Sequence, residues 1–263
     1  MIFRLNLIAD LLWPPICMSC GCIIPIDYSR DMALCDKCSA KFSVELQSLC
    51  PKCGKQHVKC RCRPHNLSGN VSGCIHVSRY TPWESVTNNL ILRAKDNNYK
   101  YLYELMANES AKAVKKRVPD YRHAVITYMP REKSKIRKSG VDQSKNVAKL
   151  FAKKLSLDFV KAIRRIHAKE QKGLSSKERL ENAFSAYRLN KKAIPSVAGK
   201  TVIVYDDVLT TGATMSAGVD ILFRAGAARV FVLAFAMRYN DRMKPTGDVD
   251  VDISDYDASD EFE

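Results

Sequence analysis

The sequence predicts an α/β protein, a twisted parallel sheet preceded by a cysteine-rich module, and three observations carry that expectation. Val202 to Tyr205 form a short continuous apolar run, as in strands buried on both faces of a parallel sheet, and Asp206, Asp207, a small-residue loop and a helical pattern follow it. A second apolar run, Val230 to Ala236, comes after that helix and its terminating Gly226, which completes a strand–helix–strand unit. Most of the 10 cysteines fall in close pairs within residues 17–62.

Length and charge bound the rest. A chain of 263 residues holds one sizeable domain and a small one, and a hydrophobic fraction of 46% excludes a disordered chain. No stretch approaches the roughly 18 apolar residues of a membrane span. Lys and Arg number 43 against 28 acids; setting aside the eight acids of residues 248–263 raises the net charge of the remainder from +15 to +23. Such a surplus favours a polyanionic partner, although lysine-rich surfaces also arise for solubility.

Met1 to Trp13 is interrupted by Asn6 and Asp10 and has no small-residue cleavage site, so it reads as an amphipathic helix rather than a signal peptide. The pairs Cys17/Cys20, Cys35/Cys38, Cys50/Cys53 and Cys60/Cys62 follow. Each is a knuckle able to give two thiolates to a tetrahedral zinc, so the four supply two closed sites. A disulfide framework is the competing account, disfavoured by the lack of a secretion signal. His57 is a possible substitute for one thiolate. Cys22 and Cys74 fall outside the pairing and read as packing residues or free thiols.

Residues 83–118 predict two helices separated near Asp96-Asn97-Asn98, and Val125 to Met129 a first core strand ending at Pro130. From Arg131 to Lys172 there are 14 Lys or Arg against four acids. Lys133, Lys135, Arg137 and Lys138 in this block, with Lys55, Lys59 and Arg61 in the cysteine module, are the candidate nucleic-acid contacts, through counterion release at phosphates. A solvated helical surface is the bland alternative. A helix over 143–154 and a strand over 159–163 come next. The expected boundaries are 1–78 for the cysteine module, 79–240 for the main domain, and 241–263 for an acidic tail expected to be disordered.

Ligands of open α/β sheets bind outside the carboxyl ends of the strands, where Asp206 and Asp207 arrive. Thr210, Thr211, Gly212, Ala213 and Thr214 let a phosphate approach backbone N–H groups and the positive end of a helix expected over 215–225. An acid pair for sugar hydroxyls beside a phosphate cradle describes a site for a phosphorylated ribose.

The run VYDDVLTTGAT resembles the phosphoribosyl-pyrophosphate (PRPP) signature of type I phosphoribosyltransferases. The chain as a whole resembles the ComF family of competence proteins, in which a double zinc ribbon precedes such a domain. Leu11-Leu12-Trp13-Pro14-Pro15 matches that family's entry to the first knuckle. Arg137, Gly140 and Gln143 retain part of its Arg-x-Arg-Gly-Phe-Asn-Gln motif, with Ser139, Val141 and Asp142 departing from it. Gln171, Gly173, Leu174, Arg179 and Asn182 match a segment that in phosphoribosyltransferases is a hood over the substrate, while Ala94-Lys95-Asp96 matches a further motif in part. The resemblance implies a type I phosphoribosyltransferase-like fold with Asp206 and Asp207 as the catalytic carboxylates. The chemistry of such a site adds Arg131 or Lys133, just past the expected first strand, to meet the pyrophosphate together with a magnesium ion. The resemblance implies that Thr210 to Thr214 bind PRPP, that two structural zinc ions are present, and that single-stranded DNA and a competence helicase are cytoplasmic partners. Three functions therefore compete: DNA uptake, phosphoribosyl transfer to an unknown acceptor, and PRPP-responsive regulation.

Overall fold

The computed structural model describes residues 14–25, 32–81, 85–96, 98–166 and 184–239. Helix α1 (Asp36–Gln47) begins at the second cysteine pair, with Cys35 at its N-cap and Cys38 in its first turn, and strand β1 (Gly73–Arg79) follows the remaining two pairs. Helices α2 (Val86–Asp96) and α3 (Lys100–Arg117) lead to β2 (Val125–Tyr128), α4 (Lys133–Ser139), α5 (Gln143–Lys154) and β3 (Asp158–Phe159). A ribbon of β4 (Ile163–Arg165) and β5 (Tyr187–Leu189) precedes the short α6 (Ile194–Val197), then β6 (Thr201–Leu209), α7 (Ala213–Arg224) and β7 (Arg229–Met237). Among the described residues no helix is long and apolar enough to cross a membrane.

The main sheet has the order β1-β7-β6-β2-β3, and every pairing in it is parallel. β6 lies at its centre, with Val202 to Tyr205 fully buried. Its residues alternate between two cores, as the two-residue period of a strand requires. Ile203 and Tyr205 face Leu102, Met106, Val147 and Phe151 of α3 and α5, whereas Val202 and Val204 face Val219 and Leu222 of α7. Burial on both faces explains why the strand reads as an unbroken apolar run.

The two expected helices before β2 are present, as is the helix over 143–154, whose Asp142 side chain accepts from Lys145 N at its first turn. The expected strand over 159–163 is two pieces. Val160 N still donates to Ile126 O (2.8 Å), but Ala162 N turns to the Thr127 hydroxyl, and the chain then leaves the sheet to pair with β5. β2 is not the first strand of the sheet, because β1 already pairs with β7 along its length. β1 also straddles the boundary expected between residues 78 and 79. Its polar positions hide it: His76 bonds the Tyr239 hydroxyl at 2.6 Å, and Ser78 bonds Thr87 at 2.9 Å. The expected helix at 1–13, the hood segment 171–182 and the acidic tail lie outside the described residues.

The cysteine module is fastened to the sheet domain at several points. The Glu45 carboxylate on α1 accepts from Val86 N (2.7 Å), Thr87 N (2.9 Å) and Thr87 Oγ1 (2.7 Å), so a residue of one element caps the N-terminus of another. Phe42 of the same helix stacks on Phe235 of β7.

Candidate functional site

After β2 the chain moves outward to β3, whereas after β6 it moves the other way to β7, so the order of the sheet reverses between β2 and β6. Such a reversal opens a crevice at the carboxyl ends of the strands. Asp206 and Asp207 stand at this point, one and two residues past the last β6 residue paired with β2.

The acids do not face solvent at a strand end, as the sequence alone would place them. β7 is nine residues long and keeps β6 paired as far as Leu209, so both acids lie within the strand. Asp207 is only 7% exposed. Its carboxylate accepts from Lys95 Nζ at 3.1 Å and from Gln143 Nε2 at 3.0 Å. Asp206 accepts from the Ser144 hydroxyl at 3.0 Å and from Asp207 N at 2.9 Å. These partners separate the two acids electrostatically. Burial, then the neighbouring Asp207 charge, pushes Asp206 well above the usual carboxylate range. Burial pushes Asp207 up as well, but Lys95 and the hydrogen bonds from Gln143 and Val208 N outweigh it and hold Asp207 down.

Lys95, Gln143 and Ser144 are the residues that reading for an acid pair alone misses. Two of them lie in segments matched to family motifs, and the fold brings those separate segments to one carboxylate. The Arg131 guanidinium meets Lys95 O (2.8 Å), Ser139 Oγ (3.0 Å) and Val141 O (3.3 Å), all through Nη1. It thus organises the α4 loop from within and leaves only its other N–H groups for a ligand.

Past Leu209, Thr210 and Thr214 are exposed and Gly212 begins α7 in the left-handed region at φ +86°. A side chain there would be strained, and its Cβ would stand 2.8 Å from Leu67 N. The segment leaving the cysteine module therefore lies against the loop: Asn66 N donates to Thr211 O (3.2 Å), Ser68 N donates to Ser216 Oγ (2.8 Å), and Ser216 Oγ donates to Asn66 O.

Lys133, Lys135, Arg137 and Lys138 on α4 are exposed, as are Lys55 and Lys59, while Arg61 is half-buried. Glu132 stands 3.8 Å from Lys135 and 3.6 Å from Arg165.

All ten cysteines are thiols, and two groups of them converge. Four thiolates around zinc at about 2.3 Å in a tetrahedron are separated by about 3.8 Å. The Sγ–Sγ distances of 3.9 Å for Cys50–Cys62, 3.6 Å for Cys53–Cys60 and 3.8 Å for Cys20–Cys35 fit that geometry. Cys50, Cys53, Cys60 and Cys62 form the second group as spacing predicts. In the first, Cys17, Cys20 and Cys35 are joined by Cys22, expected to lie outside, while Cys38 lies within hydrogen-bonding reach of Cys17, Cys20 and Cys35. His57 is not a ligand in this arrangement, because its ring nitrogens meet Ser48 Oγ (3.0 Å) and the Tyr239 hydroxyl (2.9 Å). Cys74 is buried in the core on the α7 side of the sheet. The two groups are consistent with two zinc ions.

Residues 8–70 match the double zinc ribbon domain family and residues 136–262 the phosphoribosyl transferase domain family. No curated protein matches the chain. Solved structures that resemble it include the glutamine PRPP amidotransferase of B. subtilis, at 18% identity and TM-score 0.35, where the match covers 51% of this chain and 26% of that one. The adenine phosphoribosyltransferase of Saccharomyces cerevisiae resembles it at 16% identity and TM-score 0.36, covering 54% of this chain and 70% of that one. For that of Thermoanaerobacter pseudethanolicus the figures are 15% identity, TM-score 0.35, and 60% and 88% covered. The chain spans only 26% of the length of the amidotransferase it matches.

Proposed function

The chain joins a double zinc ribbon domain to a phosphoribosyltransferase domain, the architecture of the ComF family, and from that premise we propose that it is a DNA-uptake protein. In this reading it binds single-stranded DNA and a partner helicase, and holds PRPP or a related phosphorylated ribose in its sheet domain. One observation carries the reading. The acid pair and the Thr210–Thr214 loop lie at the carboxyl end of β6, where the sheet order reverses, and Lys95 ties the loop bearing the exposed basic helix α4 to Asp207.

The chemistry is asymmetric. Asp206, held by one hydroxyl and one N–H, is the acid freer to meet ribose hydroxyls, whereas Asp207 already has Lys95 as its counter-ion. The exposed Thr hydroxyls and the α7 N-terminus would take the 5′-phosphate. Magnesium would arrive on the diphosphate, where it neutralises charge. Phosphoribosyl transfer to an acceptor is the second reading, favoured by the presence of both carboxylates at the crevice, and pyrophosphate release with candidate acceptors tests it.

Calorimetric titration with PRPP, with and without single-stranded DNA, tests the primary reading. Asp206→Asn is expected to weaken PRPP binding at least about tenfold, equivalent to about 1.4 kcal/mol, while leaving the melting temperature near that of the parent. Unchanged binding removes Asp206 from the pocket. Reversing Lys133, Lys135 and Lys138 to Glu is expected to weaken DNA binding and flatten its salt dependence, by roughly 0.7 in log–log slope for each phosphate no longer neutralised. Reversing Lys55, Lys59 and Arg61 tests the second cluster in the same way. An unaltered slope in both variants removes these surfaces as the DNA-binding face.

A further inference from the structure

The first cysteine group holds one thiol more than a tetrahedral zinc requires. Cys17, Cys20 and Cys35 are common to both arrangements, and two other thiols, one exposed and one buried, compete for the fourth position. Cys38, in the first turns of α1, is 7% exposed and reaches the trio from the protein side. Cys22 is exposed, its sulfur stands 3.3 Å from that of Cys20, and it shares the group with all three common thiols. That separation is shorter than the roughly 3.8 Å between two ligands of one zinc and longer than the roughly 2.05 Å of a disulfide. Gly21, between the two cysteines, adopts a left-handed φ of +76°, a turn that an L-side chain rarely makes. The second group offers no such surplus: it contains four thiols, and three of them are at most 2% exposed.

We propose that the first ribbon is a five-thiol zinc site in which Cys22 is an exchangeable outer ligand and the point of attack for peroxide, so that this zinc is released on oxidation while the second is retained. The proposal rests on the reading of both groups as zinc sites. In the step it describes, the Cys22 sulfur gives up its proton and attacks hydrogen peroxide, the O–O bond breaks, and a sulfenic acid and water form. The Cys20 thiolate then attacks the Cys22 sulfur, a sulfur–sulfur bond forms, and hydroxide leaves. Two electrons pass from the two sulfurs to the two peroxide oxygens. Cys20, tied into the disulfide, would no longer serve as a ligand, and a bound zinc would be released as the divalent ion. Exposure of Cys20 and Cys22 admits the oxidant, and their contact makes the second step fast.

The test uses the full-length protein carrying two zinc ions by elemental analysis, treated with hydrogen peroxide while a chromophoric chelator reports free zinc. One equivalent is expected to leave at least about tenfold faster than the other, in step with a Cys20–Cys22 disulfide found by mass spectrometry. Cys22→Ser is expected to keep both zinc ions and to slow the fast equivalent by about tenfold, with the slow one unchanged. Cys38→Ser is expected to retain two zinc ions because Cys22 takes the fourth position, and the double variant Cys22→Ser/Cys38→Ser to retain one. Equal release rates in the parent, an unaltered fast phase in Cys22→Ser, or loss of zinc from Cys38→Ser alone each overturns the proposal. A parent protein isolated with fewer than two zinc ions overturns the zinc reading itself, and that result is seen before any peroxide is added.

Discussion

The second cysteine group is held by residues from distant parts of the sheet domain, whereas the first is held chiefly by its own helix. Arg117, at the end of α3, donates to Val58 O (2.7 Å) and Cys60 O (3.1 Å). The Tyr239 hydroxyl, just past β7, bonds His57 at 2.9 Å and His76 of β1 at 2.6 Å, and lies 4.0 Å from Cys60 Sγ. Around the first group, Asn89 bonds Ser19 and α1 anchors through Glu45 and Phe42, but the Cys20–Cys22 turn stands in solvent. The same ligand chemistry thus occurs once as part of a core and once at its margin. A metal in a core contributes to the folding of everything packed on it; a metal at the margin orders mainly its own loop.

The largest expected consequence of that difference is in stability. Cys60→Ser removes a fully buried ligand and is expected to cost about 4 kcal/mol or more, with loss of one zinc. Cys20→Ser, at an exposed ligand with Cys22 beside it, is expected to cost under about 2 kcal/mol. Thermal or chemical denaturation with zinc analysis measures both, and equal losses would erase the distinction between core and margin.

Both groups are legible as sites because metal ligation fixes residue type and spacing, which a sequence displays directly. The same is true of β6, the acid pair and α7, whose order in the chain is also their order in space. What stays hidden depends on contacts between segments far apart in sequence. Nothing local marks Lys95 as the counter-ion of Asp207, 112 residues away, and the burial of that acid follows from the length of β7 rather than from its own neighbours. Cys22 defies the pairing for a related reason. Pairing by spacing assigns each thiol one partner, and the left-handed Gly21 that folds Cys22 back onto Cys20 has no spacing signature. β1 is hidden because its polar side chains are satisfied by Tyr239 and Thr87, which the local pattern cannot reveal.

An intermediate effect is expected from pH. Burial, then the Arg79 charge, pushes His57 down to about 4, and burial holds His76 well below its usual range. In the unfolded chain both titrate near 6.5. Between pH 6.5 and about 4 the unfolded state therefore binds more protons than the native state, and stability contributed by His57 is lost as pH falls through that window. Melting temperature followed over this range should decline, and the ring of His57 observed by NMR should remain neutral at about pH 6. A His57 titrating at its usual 6.5 in the native protein would show that the junction between the second ribbon and the sheet is wet.

The smallest and most specific effect is expected from Tyr239→Phe. A tyrosine hydroxyl has one proton and two acceptor positions, so it can donate to one of His57 and His76 while accepting from the other. Both imidazoles are fully buried, and His76 Nδ1 already lacks a partner among the described residues. Removing the hydroxyl leaves one nitrogen of each ring without a bond, a cost of about 1–3 kcal/mol for an unsatisfied buried group. Replacing the partner too should recover part of that cost, because two apolar groups facing each other leave nothing unpaired. A double-mutant cycle of Tyr239→Phe with His76→Phe measures this as a coupling energy. The hydroxyl also lies against Cys60 Sγ, so the single variant should release the second zinc to a chelator faster and leave the first unchanged. Zero coupling, together with unaltered release of both ions, would mean that Tyr239 merely fills space beside the second ribbon, and that this ribbon owes its place in the core to Arg117 and the packing of its cysteines alone.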